Sequence, residues 1–193
     1  ERINDLMQAK ADPRGRVERV YPGTIFDASA PSRRPLAGTE ATVPRIDRDA
    51  IAGRHASIMR PDAATLIIAG DIEGLDITGE AIAAFGGWTA PSGSLVPGGA
   101  SAARPGRRIV VVDRPGSAQT ELRIGHLGVA RSTPDFHALS VLNAIVGGLF
   151  NSRLNNLLRE ARGYTYGINS AFDMRRNPGP FTVRCAVQTE VTV

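Results

Sequence analysis

The chain has 193 residues and a formal net charge of +4, with 42% hydrophobic and 22% charged residues. At ~150 residues per domain the length corresponds to about 1.3 domains, long for one unit and short for two. No run approaches the ~18 apolar residues of a membrane span, and no charged-then-apolar leader opens the chain. The single cysteine, Cys185, excludes an internal disulfide framework and every multi-cysteine metal site.

The opening Glu1-Arg2-Ile3-Asn4 has no initiator methionine and reads as an interior piece of a longer chain. The basic charge is almost all arginine, Lys10 being the one lysine, and it is dispersed. Only Arg33-Arg34, Arg107-Arg108 and Arg175-Arg176 are doublets, and none is interleaved with stacking aromatics. Nucleic-acid binding needs a clustered basic face to gain from counterion release, so this pattern argues against it.

Taken in chain order, residues 1–10 read as a helix stopped by Asp12-Pro13, and the turn-rich stretch up to Pro44 reads as irregular. Asp47 or Asp49 can cap a helix that places Ile51, His55, Ile58 and Met59 on one face, ended by Arg60-Pro61-Asp62. Residues 65–69 (TLIIA) form a short buried strand, and 75–85 a second amphipathic helix stopped by Gly86-Gly87. Residues 89–106, rich in Pro, Gly, Ser and Ala, form a linker. The predicted organisation is therefore 1–88, linker 89–106 and 107–193.

The second block opens with a strand over 108–113 (RIVVVD) and a turn at Arg114-Pro115-Gly116-Ser117. A strand over 120–128 follows, with Leu122, Ile124 and His126 on one side. Thr133-Pro134 signals a helix start, with Phe136, Leu139, Leu142, Asn143 and Val146 on one stripe and a stop at Gly147-Gly148. A shorter helix over 152–161 precedes strands at 164–173 and 180–189, joined by Asn177-Pro178-Gly179. In the last strand Phe181, Val183, Cys185 and Val187 alternate inward. Neighbouring strands with helices packed on one face predict an α+β fold with largely antiparallel sheets.

Few side chains stand out chemically. His55, His126 and His137 never fall at the i, i+4 spacing of paired metal ligands, and no HxxEH, GxSxG elbow or phosphate-cradling glycine loop is present. Cys185 sits in an alternating apolar pattern and reads as core. The stretch from Leu142 to Tyr166 differs, packing paired glycines, Ser152-Arg153-Leu154, Arg159-Glu160 and Gly163-Tyr164-Thr165-Tyr166 together. Arg159 would end a helix and Tyr166 would lie in the strand that follows. A guanidinium fork for a carboxylate or carbonyl and a phenol for a developing oxyanion could then share one concave surface. A helix-dipole arginine and a half-buried strand tyrosine explain the same residues. Both readings stand on the residues alone.

The run LNAIVGGLFNSRLNNLLREARGYTYGINSAF resembles the C-terminal-half signature of the M16 metallopeptidases (pitrilysin, insulinase, mitochondrial processing peptidase). Arg34 through Thr39, His55 through Ile72, Phe85-Gly86-Gly87-Trp88 and Arg114 through Gln119 agree with that family in order. The resemblance implies paired homologous modules like those of mitochondrial processing peptidase. Residues 1–88 would be the end of the first module and 107–193 the start of the second.

It also implies a catalytic zinc held by an upstream HxxEH helix and a distal glutamate, in the parent protein or a partner subunit, with none bound by this fragment. A peptide or unfolded polypeptide would lie extended against a sheet edge. By motif, Arg159 and Tyr166 would anchor substrate and stabilise the transition state from the opposite half. Glu1-Arg2 is similar to the family's Glu-Arg pair, which places Gln8 where a zinc-ligand glutamate would fall. That departure suggests a zinc-less partner serving an HxxEH-bearing subunit, or a homo-oligomer, of a bacterial protease in the cytoplasm or periplasm.

Overall fold

The computed structural model describes residues 1–93, 99 and 102–192. Contacts gather the chain into two compact units, Glu1–Glu40 with Gly98–Val193, and Ala41–Pro97. Among the described residues no helix is long and apolar enough to cross a membrane.

The larger unit is built on a three-stranded antiparallel sheet: β1 (Gln119–Leu127), β2 (Ile168–Phe172) and β3 (Pro180–Gln188), in spatial order β1-β3-β2. The register sets Leu122 and Ile168 on either side of Cys185, and Ile124 and Ser170 on either side of Val183. Alternation then sends these residues to one face and Arg123, Asn169, Thr182 and Arg184 to the other. On the first face Ile168, Cys185 and Val187 are buried against Leu154 and Leu158. Phe181 of the expected inward set is only half-buried, while Thr182 is buried on the opposite face. Both faces of β3 are covered, so period-two hydrophobicity sees only one of them.

The helical layer on the apolar face is α5 (Phe136–Asn143), continued by a π-helical stretch Ala144–Gly148, and α6 (Arg153–Asn155), continued by a π-helical stretch Asn156–Ala161. Gly147 is where this layer meets β2. A Cβ there would lie 2.6 Å from the Ser170 hydroxyl and 3.0 Å from Leu154. Helix and strand approach this closely because nothing projects between them. Ser170 in turn donates to Asn143 Oδ1 at 2.8 Å.

The opposite face carries a helix, Pro13–Ile25, where the turn-rich sequence predicts irregular chain. Asp12 ends α1 (Arg2–Ala11) and caps α2 (Pro13–Ile25), its carboxylate accepting from the Gly15 amide at 2.5 Å. Pro13 occupies the first helical position, where its missing N–H removes nothing. The turn-like Tyr21-Pro22-Gly23 masked the helix in the sequence; Pro22 removes one ladder bond, and packing on the sheet outweighs it. Tyr21 donates to Thr182 Oγ1 at 3.0 Å, and Ile25, Phe26 and Ala30 form a second small core with Leu127. Gly125 makes room, since a Cβ there would sit 2.2 Å from the Tyr21 hydroxyl. Beyond α2, Asp27 and Arg104 amides donate to Ala102 and Ile25 carbonyls, which docks the end of the predicted linker on this unit. Residues 94–98, 100 and 101 of that stretch lie outside the described residues.

The smaller unit holds α3 (Arg48–Ile58) and α4 (Ile77–Phe85), capped by Asp47 and Asp76 through the Ala50 and Gly79 amides. The predicted strand at 65–69 runs without a ladder partner among the described residues, and Ile67 is 83% exposed. In the larger unit, 108–113 is likewise unpaired, with Ile109 and Val111 each 83% exposed. Both have strand-like composition, but a strand exists only when a second one pairs with it. The apolar face expected for α3 is exposed too. What the smaller unit buries instead is Arg60, whose guanidinium meets Asp62 at 2.8 and 2.6 Å and the Gly93 carbonyl at 2.6 Å.

Two outcomes test these contacts. Gly147→Ala should lower stability by about 1–3 kcal/mol, as overpacking does, moving the urea midpoint down with an unchanged m-value. The second concerns acid. Hydrogen bonding from Arg60 holds the Asp62 carboxyl below its ordinary value of 3.8. The clasp is then fully stabilising above that ordinary value and is lost as pH falls through the lowered one. Amide exchange around Gly93 should accelerate in that acid window, and Asp62→Asn should reproduce the acceleration at neutral pH.

Candidate functional site

Asn155 builds the corner that carries both residues singled out by the sequence. Its buried amide accepts from the Ile168 N–H at 3.0 Å and donates to the Ile168 carbonyl at 2.8 Å. The helix containing Arg159 is thereby tied to the first residue of β2, two positions after Tyr166. Between them Gly163 adopts φ +65, the left-handed conformation that ends the helix without Cβ strain. Thr165 is buried, its hydroxyl donating to the Gly167 carbonyl and accepting from the Gly167 N–H at 2.9 and 3.1 Å. That clasp leaves Tyr166 at the tip of a tight turn, 91% exposed.

Arg159 lies in the last turn of the helix. Its guanidinium stacks 4.2 Å from the centre of the Phe150 ring and donates to Glu160 Oε1 at 2.9 Å. Phe150 and Tyr166 line the same open groove, of about 490 Å³, between the start of β2 and the α2 side of the sheet. Of the two residues singled out by the sequence, Tyr166 lines this groove and Arg159 does not; Arg159 stacks on Phe150, which does. The phenol is far more exposed than the half-buried strand tyrosine of the alternative reading.

The groove floor carries residues that no motif revealed. Arg123, with its side chain 3% exposed, is neutralised by Glu18 Oε1 at 2.8 Å and Glu121 Oε2 at 3.0 Å. Arg14 and Arg184 line the groove as well, and neither forms an ion pair among the described residues. They come from α2 and β3, so only the folded sheet brings them together. Burial pushes the Tyr21 phenol up, against an opposing pull from Arg184 and Arg123.

The remaining candidates fall elsewhere. His55 is exposed on α3. His126 lies 5.6 Å from the Phe181 ring and His137 meets Phe136 edge-on. Cys185 is buried, and desolvation raises its thiol above the ordinary 9.0, which suits a core residue rather than a nucleophile. Among the described residues no group of three His, Cys, Asp or Glu side chains is placed to hold a metal ion.

Comparison with known proteins agrees with this architecture. An uncharacterized zinc protease of Mycobacterium leprae is 25% identical over 95% of this chain and 41% of its own length. One of Streptomyces coelicolor is 29% identical over 87% of this chain and 37% of its own. The chain therefore spans less than half the length of these relatives. Among solved structures, a peptidase M16 inactive domain from Pseudomonas fluorescens superposes with a TM-score of 0.82 at 25% identity, over 98% of this chain and 45% of that one. A Helicobacter pylori protease shares the fold, with a TM-score of 0.82 at 16% identity over 97% of this chain and 46% of that one. The family model described as the peptidase M16 inactive domain matches residues 45–193, and the chain belongs to the M16 peptidase family.

Proposed function

We propose that this chain is the peptide-binding half of a zinc-dependent M16 metalloendopeptidase, and that Arg159 and Tyr166 complete its active site. The observation that carries this reading is the Tyr166 phenol, 91% exposed on a turn clasped by Thr165 and facing the groove that Phe150 shares. A hydroxyl held at that tip donates to a substrate oxygen as negative charge develops on it. Arg159, steadied against Phe150, offers its fork to a peptide carbonyl or carboxylate. An extended polypeptide lying along the groove meets Tyr166, and meets Arg159 where it passes Phe150.

The relatives' names carry zinc, whose chemistry when bound is to activate water and polarise the scissile carbonyl. The described residues do not fit that ion, since they bring no ligand cluster together. In this proposal zinc is held elsewhere in the parent protein or by an HxxEH-bearing partner subunit. A second reading, a subunit that binds peptide without cleaving it, is favoured by Gln8. Its neutral amide stands exposed on α1 where the family register calls for a glutamate, and an amide is a poor zinc ligand.

Tyr166→Phe in the full assembly should lower kcat by about 10²-fold, the effect of losing one oxyanion donor, with stability within about 0.5 kcal/mol. The stability control is clean because the phenol makes no hydrogen bond among the described residues. Unchanged kcat would remove Tyr166 from the site. Metal analysis of the purified chain should find no stoichiometric zinc; one tightly bound ion per chain would overturn the assignment of zinc to another part or subunit.

A further inference from the structure

We infer that Arg14 and Arg184 form a carboxylate-accepting subsite in the Tyr166 groove, so that the bound peptide is selected for an acidic side chain or its free C-terminus. The inference rests on the reading of this groove as a peptide site and adds a specificity to it.

Three arginines line the groove, but they are not equivalent. Arg123 is sequestered: Glu18, Glu121 and the Leu122 carbonyl take its donors, at 2.8 to 3.0 Å for the carboxylates and 2.7 Å for the carbonyl. Arg14 and Arg184 are exposed and have no carboxylate of this unit within ion-pair distance among the described residues. The carboxylate that lines the groove, Glu121, is the one committed to Arg123, and Phe150, Tyr166 and Asn169 are neutral, the last donating to the Gly147 carbonyl at 3.3 Å. The groove therefore offers two uncommitted guanidinium forks beside an apolar ring and a phenol. An anion with two parallel acceptor oxygens suits that arrangement, and a carboxylate is the form in which a peptide carries one. A basic peptide residue would meet like charge at the same place.

The two possible sources of the carboxylate are separated by three labelled peptides of one length and one apolar frame, titrated against the full protein by fluorescence anisotropy. One carries an internal Glu and an amidated C-terminus, one Gln and an amidated C-terminus, and one Gln and a free C-terminus. At least one carboxylate-bearing peptide should bind about tenfold more tightly than the neutral one. The tighter member names the source. The difference should vanish in Arg14→Gln/Arg184→Gln, while the neutral peptide binds as before.

Arg184→Glu guards against a loss due to misfolding, because it should gain preference for a Lys-bearing peptide. Equal binding of all three peptides to the unaltered protein, with the neutral one still weakened by Phe150→Ala, would overturn the subsite and keep the peptide groove. Binding of none would overturn both.

Discussion

One side-chain amide ties together the helix that carries Arg159 and the turn that carries Tyr166. Asn155 pairs with both backbone groups of Ile168, as a neighbouring strand would, and so joins the helical layer to the first residue of β2. Arg159 lies four residues beyond one end of that link and Tyr166 two residues before the other. Each hydrogen bond is modest by itself, about 1 kcal/mol net, but leaving a buried N–H and carbonyl unmet is costlier than either bond is favourable. The amide is therefore a positional constraint more than a reservoir of stability. The close approach at Gly147 acts with it, allowing β2 to rest directly on the helix that bears Asn143.

The α+β architecture was legible where local signals and burial agreed. Thr133-Pro134, Gly147-Gly148, Asn177-Pro178-Gly179 and the alternation of β3 marked the ends and faces of the larger unit's elements. Residues 13–25 were not legible, because Tyr21-Pro22-Gly23 reads as a turn while the helix is held by tertiary contacts to Thr182 and Arg123. The apolar runs at 65–69 and 108–113 erred the other way. Their composition speaks of strands, but pairing is a property of two segments, and the second is not present among the described residues.

The candidate site divides along the same line. Arg159 and Tyr166 are near in sequence, linked by a helix end, a left-handed glycine and a short turn, so a motif can record them. Arg14 and Arg184 come from opposite ends of the chain and meet only because α2 crosses the face of the sheet where β3 displays its polar residues. No spacing rule could pair them. The dispersed arginines, uninformative as composition, acquire meaning only when sorted by whether a carboxylate already holds them.

Arg123 has a consequence of this kind. It offers almost no surface, yet it is the charge that balances Glu18 and Glu121 beneath the groove. Without it, two arginines would face two glutamates and the local potential would drop from positive to neutral, while Glu18 and Glu121 would lose the cation they share. The polarity of the groove is thus set partly from its floor, by a residue whose side chain is almost wholly covered. Replacing this hidden arginine by a neutral residue would therefore remove the groove's pull on anionic peptides without altering an exposed side chain.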